Sequence, residues 1–207
     1  MVPVLGKPFL VYQLELLKSY EITDIVLSIG YLGNQIRDYF GNGSKMGIQI
    51  TYSFEERPMG TGGGIKLASH LLRDEFFVIY GDSYLPIDYR EVEDFFKSSG
   101  KIGLLVAYDN RWGDTMVPCN FSIGENMLVT KYKKGSNDKD LYLVEAGVLA
   151  FKKRVLDLIP DGKPLSLEEE IFSVLIAQKE LIAFITSQRF YDIGLPDRLQ
   201  KFEKLFK

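Results

Sequence analysis

The sequence predicts an α/β fold, a mixed and mainly parallel sheet with helices on both faces. Three observations predict it. Helical and strand-like periodicities alternate along the first half of the chain, the pattern of right-handed βαβ crossovers. Phe76-Phe77-Val78-Ile79-Tyr80 is apolar without interruption, as expected of a parallel strand buried on both faces. That run stops at Gly81-Asp82-Ser83, and open α/β sheets bind ligands beyond the carboxyl ends of such strands. All three of these residues are also turn formers, so a plain turn is the competing reading.

Each element has its own local reason. Pro8 suits the first turn of a helix that residues 9–19 continue, with Phe9, Tyr12 and Leu16 beside Leu10, Leu14 and Leu17. Residues 24–29 form a short buried strand ending at Gly30-Tyr31. Residues 34–40 read as a helix stopped by Gly41-Asn42-Gly43. Residues 48–52 alternate and are β-branched, hence a strand. A loop over 55–64 opens into a helix over 65–72, followed by the strand 76–80. Asp88 with Glu91 makes a capping-box-like start to a helix reaching Phe96, and Gly100 lies beyond its end. Residues 102–108 are another apolar strand. The second half changes character. Residues 120–123, 128–134 and 141–151 are strand-like, and Gly124-Glu125-Asn126 marks a hairpin, so an antiparallel excursion over one edge of the sheet is expected. Residues 153–159 form a short helix ended by Pro160. Ser166 with Glu169 is a capping box for a helix to Ala177, and 181–186 is a strand. Pro196 starts a last amphipathic helix that turns Leu199, Phe202, Leu205 and Phe206 inward. No repeat or long linker interrupts residues 1–207, which read as a single domain.

Composition narrows the chemistry. A chain of this length buries roughly 70% of its unfolded surface and needs no disulfide or structural zinc. With 46% hydrophobic and 26% charged residues it has an ordinary globular balance. Cys119 is the sole cysteine, which excludes an intrachain disulfide and a Cys-rich metal cluster and is consistent with a reducing, cytoplasmic setting. No apolar run approaches the ~20 residues of a membrane helix. Residues 1–8 lack the regions of a signal peptide, so no membrane partner is expected. A net charge of −3 argues against nucleic acid as a partner. His70 is the only histidine and has no obvious partner, so a histidine-based hydrolase or zinc site has little to build on. Chemistry here rests on carboxylates, lysines and backbone groups.

Three constellations can carry it. Gly60-Thr61-Gly62-Gly63-Gly64 opens a helix, where glycines allow close approach of a ligand; such runs are also common as turns. Asp82 and Asp192 both adjoin glycine-containing turns after aromatic stretches. Converging at strand ends, the two would hold Mg²⁺; alternatively Asp192 caps the last helix. Lys131, Lys133 and Lys134 surround Tyr132, and one of them could reach a phosphate, or all could guard a solvated edge strand.

In this order the segments resemble the sugar-1-phosphate nucleotidyltransferases, the NDP-sugar pyrophosphorylases. The stretch Ser53-Phe-Glu-Glu-Arg-Pro-Met-Gly-Thr-Gly-Gly-Gly64 is similar to the family's base-binding segment, above all in guanylyltransferases for mannose-1-phosphate and manno-heptose 1-phosphate. Phe77-Val-Ile-Tyr-Gly-Asp82 resembles the strand that ends in the metal-binding aspartate. Phe190-Tyr-Asp-Ile-Gly-Leu-Pro196 resembles the second metal-binding segment, and Val144-Glu-Ala-Gly147 the strand that cups the sugar. The resemblance implies a Rossmann-like nucleotide-diphospho-sugar transferase fold and a nucleoside triphosphate and a sugar-1-phosphate as substrates, with GTP favoured. It implies that Glu55, Gly60, Thr61 and Gly62 contact the nucleotide, with Gly81 beside it. Asp82 and Asp192 would hold Mg²⁺, Lys134 would meet the sugar phosphate, and Asn120, Glu145 and Gly147 the sugar hydroxyls. Lys134 stands in Lys133-Lys134-Gly135, where the family has a Glu-Lys-Pro-like segment.

One departure stands out. The family opens with an apolar strand, a Gly-x-Gly-Thr-Arg-Leu loop and a Pro-Lys-Pro segment, whereas Met1-Val-Pro-Val-Leu-Gly-Lys-Pro8 resembles the stretch immediately downstream of them. The expectation is a first strand missing, open edges on its two neighbours, and little activity from these residues alone. A shortened enzyme, a non-catalytic relative that binds nucleotide-sugar, and a homo-oligomer whose second copy supplies the strand are the competing accounts. A metal-dependent glycosyltransferase is the rival enzyme class, but Gly81-Asp82-Ser83-Tyr84 lacks the second aspartate it would use.

Overall fold

The computed structural model describes residues 1–110, 115, 117–136 and 138–207. They form two compact units, Met1–Asp74 with Lys153–Leu167, and Glu75–Lys152 with Glu168–Lys207.

The first unit opens on a hairpin of β1 (Pro3–Val4) and β2 (Lys7–Pro8). Helix α1 (Phe9–Ser19) buries Phe9, Leu14 and Leu17, and Tyr12 donates its hydroxyl to the Val4 carbonyl at 3.0 Å, tying helix to hairpin. Strands β3 (Asp24–Ile29) and β4 (Gln49–Phe54) pair in parallel along their full length, with α2 (Gly33–Phe40) in the crossover. The turn into β4 demands Gly43, which has φ +82°, because a β-carbon there would stand 2.8 Å from the Ile48 carbonyl oxygen. Helix α3 (Gly60–Leu67) starts inside the glycine run, earlier than the expected residue 65. Glycine costs about 1 kcal/mol per helical position relative to alanine. It is tolerated here because the backbone near Leu165 crosses the run at close range.

The second unit contains β5 (Glu75–Ile79), β6 (Ser83–Tyr84), α4 (Tyr89–Ser99), β7 (Gly103–Asp109), β8 (Phe121–Ile123), β9 (Val129–Tyr132), β10 (Leu143–Lys152), α5 (Phe172–Ala177), β11 (Leu181–Thr186), β12 (Tyr191–Asp192) and α6 (Pro196–Glu203). Asp88 caps α4, its carboxylate accepting the Arg90 N–H at 2.9 Å, and Gly100 ends the helix in the left-handed region. Six of the strands share one sheet. Its order is β11-β7-β10-β8-β9, and β5 also pairs with β10. β7 and β11 run parallel, whereas β10 is antiparallel to β5, β7 and β8.

The α/β class with a mixed sheet is as expected, but fewer of its pairings are parallel. The reason is β10. Expected over a sheet edge, it lies between β5 and β7, and every residue but Lys152 is buried. β5 departs from expectation for the same reason. Its partner among the described strands is β10, antiparallel, and all five residues are half-buried rather than enclosed on both faces. In the last helix Phe202 is fully buried, but α6 ends at Glu203, and Leu205 and Phe206, in the 3-10 turn after it, remain over 40% exposed, so the inward face is shorter than its periodicity suggests. Among the described residues no helix is long and apolar enough to cross a membrane.

Leu149 sits at the middle of β10 with no exposed surface. Leu149→Ala is expected to cost about 2–5 kcal/mol, read from urea unfolding followed by circular dichroism. A loss under about 1 kcal/mol, typical of surface positions, would contradict a core centred on β10.

Candidate functional site

A strand pairing sets the backbone segments that carry the two aspartates side by side. Residues 80–83 form a tight turn, the Ser83 N–H donating to the Tyr80 carbonyl at 3.1 Å. β6 leaves that turn and pairs antiparallel with β12, placing Ser83 opposite Asp192 and Tyr84 opposite Tyr191. The ladder continues with the Ile193 N–H donating to the Asp82 carbonyl at 3.0 Å. Asp82 is exposed, and its Oδ1 accepts the Ser83 hydroxyl at 3.3 Å. The Asp192 side chain is only 14% exposed. Its Oδ1 accepts the Arg198 guanidinium at 3.0 Å and the Gly194 N–H at 3.2 Å. Arg198 reaches it because α6 docks through Phe202, one turn further along the same helix face. The Phe202 ring packs edge-on to Tyr84, with centroids 5.1 Å apart, and lies 6.2 Å from Tyr191. Asp192 does not cap α6, whose N-cap position is Leu195.

Among the described residues no three His, Cys, Asp or Glu side chains gather into a metal cage. A carboxylate in the turn before β6 and another on β12 are nonetheless donors of the kind that suits Mg²⁺, which takes one or two protein carboxylates and completes its shell with water and phosphate. The bonds from Arg198 and Gly194 to Asp192 are of the kind that orient a ligating carboxylate from outside.

A second group of polar side chains lies deeper in the same unit. The Glu145 N–H donates to Asn120 Oδ1 at 3.0 Å, and Glu145 Oε1 accepts the Gly147 N–H at 2.7 Å; Asn120 and Glu145 are buried. Lys134 is exposed, its Nζ 3.9 Å from Glu168 Oε1, which also accepts the Tyr80 hydroxyl at 2.8 Å. A cavity of about 550 Å³ opens beside Lys134 and Glu168 and is lined also by Thr130, Tyr132, Glu169 and Ser173. Glu168, Tyr80, Tyr132 and Arg198 were not singled out from the sequence. The capping pattern pointed to Glu169, but this helix begins as a π-helical turn, Leu167–Ile171, with Glu168 buried and Glu169 exposed. Both tyrosines look like ordinary core aromatics in the sequence. Burial above all, then the charges of Glu145 and Glu168, hold both phenols well above their usual range, so they remain hydrogen-bond donors. Burial also pushes the Glu145 carboxyl up to about 7, opposed by the Gly147 N–H and Lys134 and reinforced by Glu168 and Asp82.

The glycine run belongs to the first unit. Glu55 Oε2 accepts the Met59 N–H at 3.0 Å, so this carboxylate braces the entrance to α3. Residues 163–167 cross directly over the run. The Leu165 carbonyl accepts the N–H groups of Gly62 at 2.9 Å and Gly63 at 3.3 Å, and Thr61 Oγ1 accepts the Leu167 N–H at 2.8 Å. A β-carbon on Gly60 would stand 2.6 Å from the Leu165 carbonyl oxygen, and one on Gly62 2.4 Å from its side chain. At Gly60 both the backbone crossing and a φ of +70° require glycine, whereas at Gly62 the clash is with the end of the Leu165 side chain. Gly81 is the opposite case. It is exposed, its φ is outside the left-handed region, and a β-carbon there would meet no protein atom within 4 Å.

Glu145 titrates at its ordinary value of 4.5 when unfolded and at about 7 in the fold. Between those limits the folded chain keeps a proton that the unfolded chain has released. Stability therefore falls as pH rises through this window, by at most about 1.4 kcal/mol per pH unit, and the loss is complete above it. Glu145→Gln should flatten this slope. Urea unfolding at pH 5 and pH 7.5 checks it, and equal pH dependence in the two proteins would contradict a buried ionisable Glu145.

The profile of one protein family, described as nucleotidyl transferase, matches residues 1–206. A mannose-1-phosphate guanylyltransferase of Mycobacterium tuberculosis is 30% identical over 200 residues, covering 95% of this chain and 55% of that protein. A D-glycero-alpha-D-manno-heptose 1-phosphate guanylyltransferase of Aneurinibacillus thermoaerophilus is 30% identical over 209 residues, covering 99% of this chain and 87% of the relative. The crystal structure of HddC from Yersinia pseudotuberculosis complexed with GMP-PN superposes with a TM-score of 0.82 at 26% identity, covering all of this chain and 89% of that one. The chain spans about half the length of the mannose-1-phosphate guanylyltransferases it matches.

Proposed function

The chain belongs to the nucleotidyl transferase family, and from that premise we propose that it transfers a nucleoside monophosphate, GMP by preference, from a nucleoside triphosphate to a sugar-1-phosphate and releases pyrophosphate. The observation that carries the proposal is the β6–β12 pairing, which brings Asp82 and Asp192 to neighbouring backbone positions. The guanylyltransferase names of the relatives favour GTP as donor. Their mannose- and heptose-phosphate names favour a hexose or heptose 1-phosphate as acceptor.

In this reading a phosphate oxygen of the sugar-1-phosphate attacks the α-phosphorus in line. The bond from that phosphorus to the bridging oxygen breaks, and pyrophosphate leaves with the electron pair. The nucleophile is already an anion near neutral pH, so no general base is required, in keeping with an exposed His70. Positioning and charge neutralisation are then the protein's task. Asp82 and Asp192 would hold Mg²⁺, which when bound neutralises phosphate charge. Lys134 offers a mobile point charge to the sugar phosphate, and Asn120, Glu145 and Gly147 border the sugar. In the first unit Glu55, Gly60, Thr61 and Gly62 are assigned to the base. A carboxylate accepts from two adjacent N–H donors, as guanine presents, although Glu55 Oε2 already accepts the Met59 N–H.

Pyrophosphate release from GTP with mannose-1-phosphate or the heptose phosphate, in Mg²⁺, tests the proposal. Asp82→Asn and Asp192→Asn should each lower kcat by about 10²–10³-fold, the scale for losing a group that stabilises transition-state charge. Release of a nucleoside diphosphate in place of pyrophosphate would overturn it. Gly81→Ala supplies an independent check. No packing reason requires glycine there, so stability should change by less than about 0.5 kcal/mol while KM rises for a substrate that passes against residue 81. An unchanged KM for both substrates would remove Gly81 from the site.

A further inference from the structure

The bulge in β10 contacts the turn that carries Asp82. Between Glu145 and Leu149, four steps along β10 face two steps along β7, from Ala107 to Leu105, so two residues are extruded. The Glu145 side chain folds over this bulge and accepts the Gly147 N–H at 2.7 Å, while its own N–H is held by Asn120. Gly147 has φ +78°, and its carbonyl accepts the Tyr80 N–H at 3.0 Å. A β-carbon on Gly147 would stand 2.4 Å from both Cβ and Oγ of Ser83, so bulge and Ser83 are in close contact. Tyr80 and Ser83 flank Gly81-Asp82, and Ser83 faces Asp192 across the β6–β12 ladder.

We propose that Glu145 is a positioning residue for the Asp82–Asp192 pair: its carboxylate fixes the Gly147 bulge, and the bulge fixes Tyr80 and Ser83 on either side of Gly81-Asp82. This goes beyond a role in bordering the sugar, because the contact chain is complete within the protein. Only its consequence for a cation rests on the metal reading above. The role needs an acceptor oxygen on residue 145 and does not need a negative charge, since a protonated carboxyl or an amide still offers a carbonyl to Gly147.

Hydrogen exchange at the Ile193 amide reads the device without any metal, because that N–H is bonded to the Asp82 carbonyl. Glu145→Met keeps the volume and removes the acceptor; it should speed exchange at Ile193 by about tenfold or more. Glu145→Gln should stay within about twofold of wild type, and the amides of Leu181–Thr186, in the same sheet but away from the bulge, should not change. Wild-type exchange at Ile193 in Glu145→Met, or equally fast exchange in both variants, would overturn the proposal. If Glu145→Met fails to fold, Gly147→Ala serves. It should accelerate Ile193, and adding Ser83→Gly, which deletes the atoms the new methyl would strike, should recover the part of the loss that does not come from the φ of +78°; wild-type exchange at Ile193 in Gly147→Ala would overturn it. Mn²⁺ titration followed by electron paramagnetic resonance then separates the two readings. Weaker Mn²⁺ binding in Glu145→Met than in Glu145→Gln supports both. A wild type that binds no Mn²⁺ while Ile193 responds as expected leaves the positioning role standing and removes the metal.

Discussion

A strand has two edges, and each length of edge can be used once. β10 gives one edge to β7 along nearly its whole length, and on the other it must serve β8 at Leu143 and β5 along residues 148–152. The handover between those partners falls at the bulge. This constraint places Tyr80, just past the end of β5, against the Gly147 carbonyl and sets where the chain turns into β6. The β6–β12 ladder is built from that turn, and Phe202 then has two tyrosines, one on each strand, to pack against. The carboxylate pair thus inherits its position from a pairing problem at the centre of the sheet.

Elements whose character is local were legible in the sequence. β3 and β11 have the bounds their apolar runs suggest, and α4 begins where Asp88 can cap it. The position of β10 was not legible, because periodicity reports burial and says nothing about which neighbour supplies it. An uninterrupted apolar run such as 76–80 reads the same for a central parallel strand and for a half-covered antiparallel one. Asp82 and Asp192 stood out because each adjoins a turn at the end of an apolar stretch. Arg198 and Glu168 did not. The reach of Arg198 depends on how α6 docks, and the inward turn of Glu168 depends on a π-helical start that displaces the expected pattern by one residue.

The second unit keeps two carboxylates, Glu145 and Glu168, where burial disfavours their charge. Each is matched to donors: a backbone N–H for Glu145, and the Tyr80 hydroxyl with a distant Lys134 for Glu168. Local conflict of this kind is expected where a fold gives up stability for a task.

The crossing of residues 163–167 over the glycine run gives that loop a distinct character. In many phosphate-gripping loops the backbone N–H groups at a helix start are vacant until an anion arrives. Here the Leu165 carbonyl already occupies those of Gly62 and Gly63. The loop cannot offer the Gly62 and Gly63 amides to an anion as such a cradle would. Its hold on a ligand should therefore vary little with ionic strength, unlike that of an exposed Lys134, whose attraction for a phosphate salt would screen.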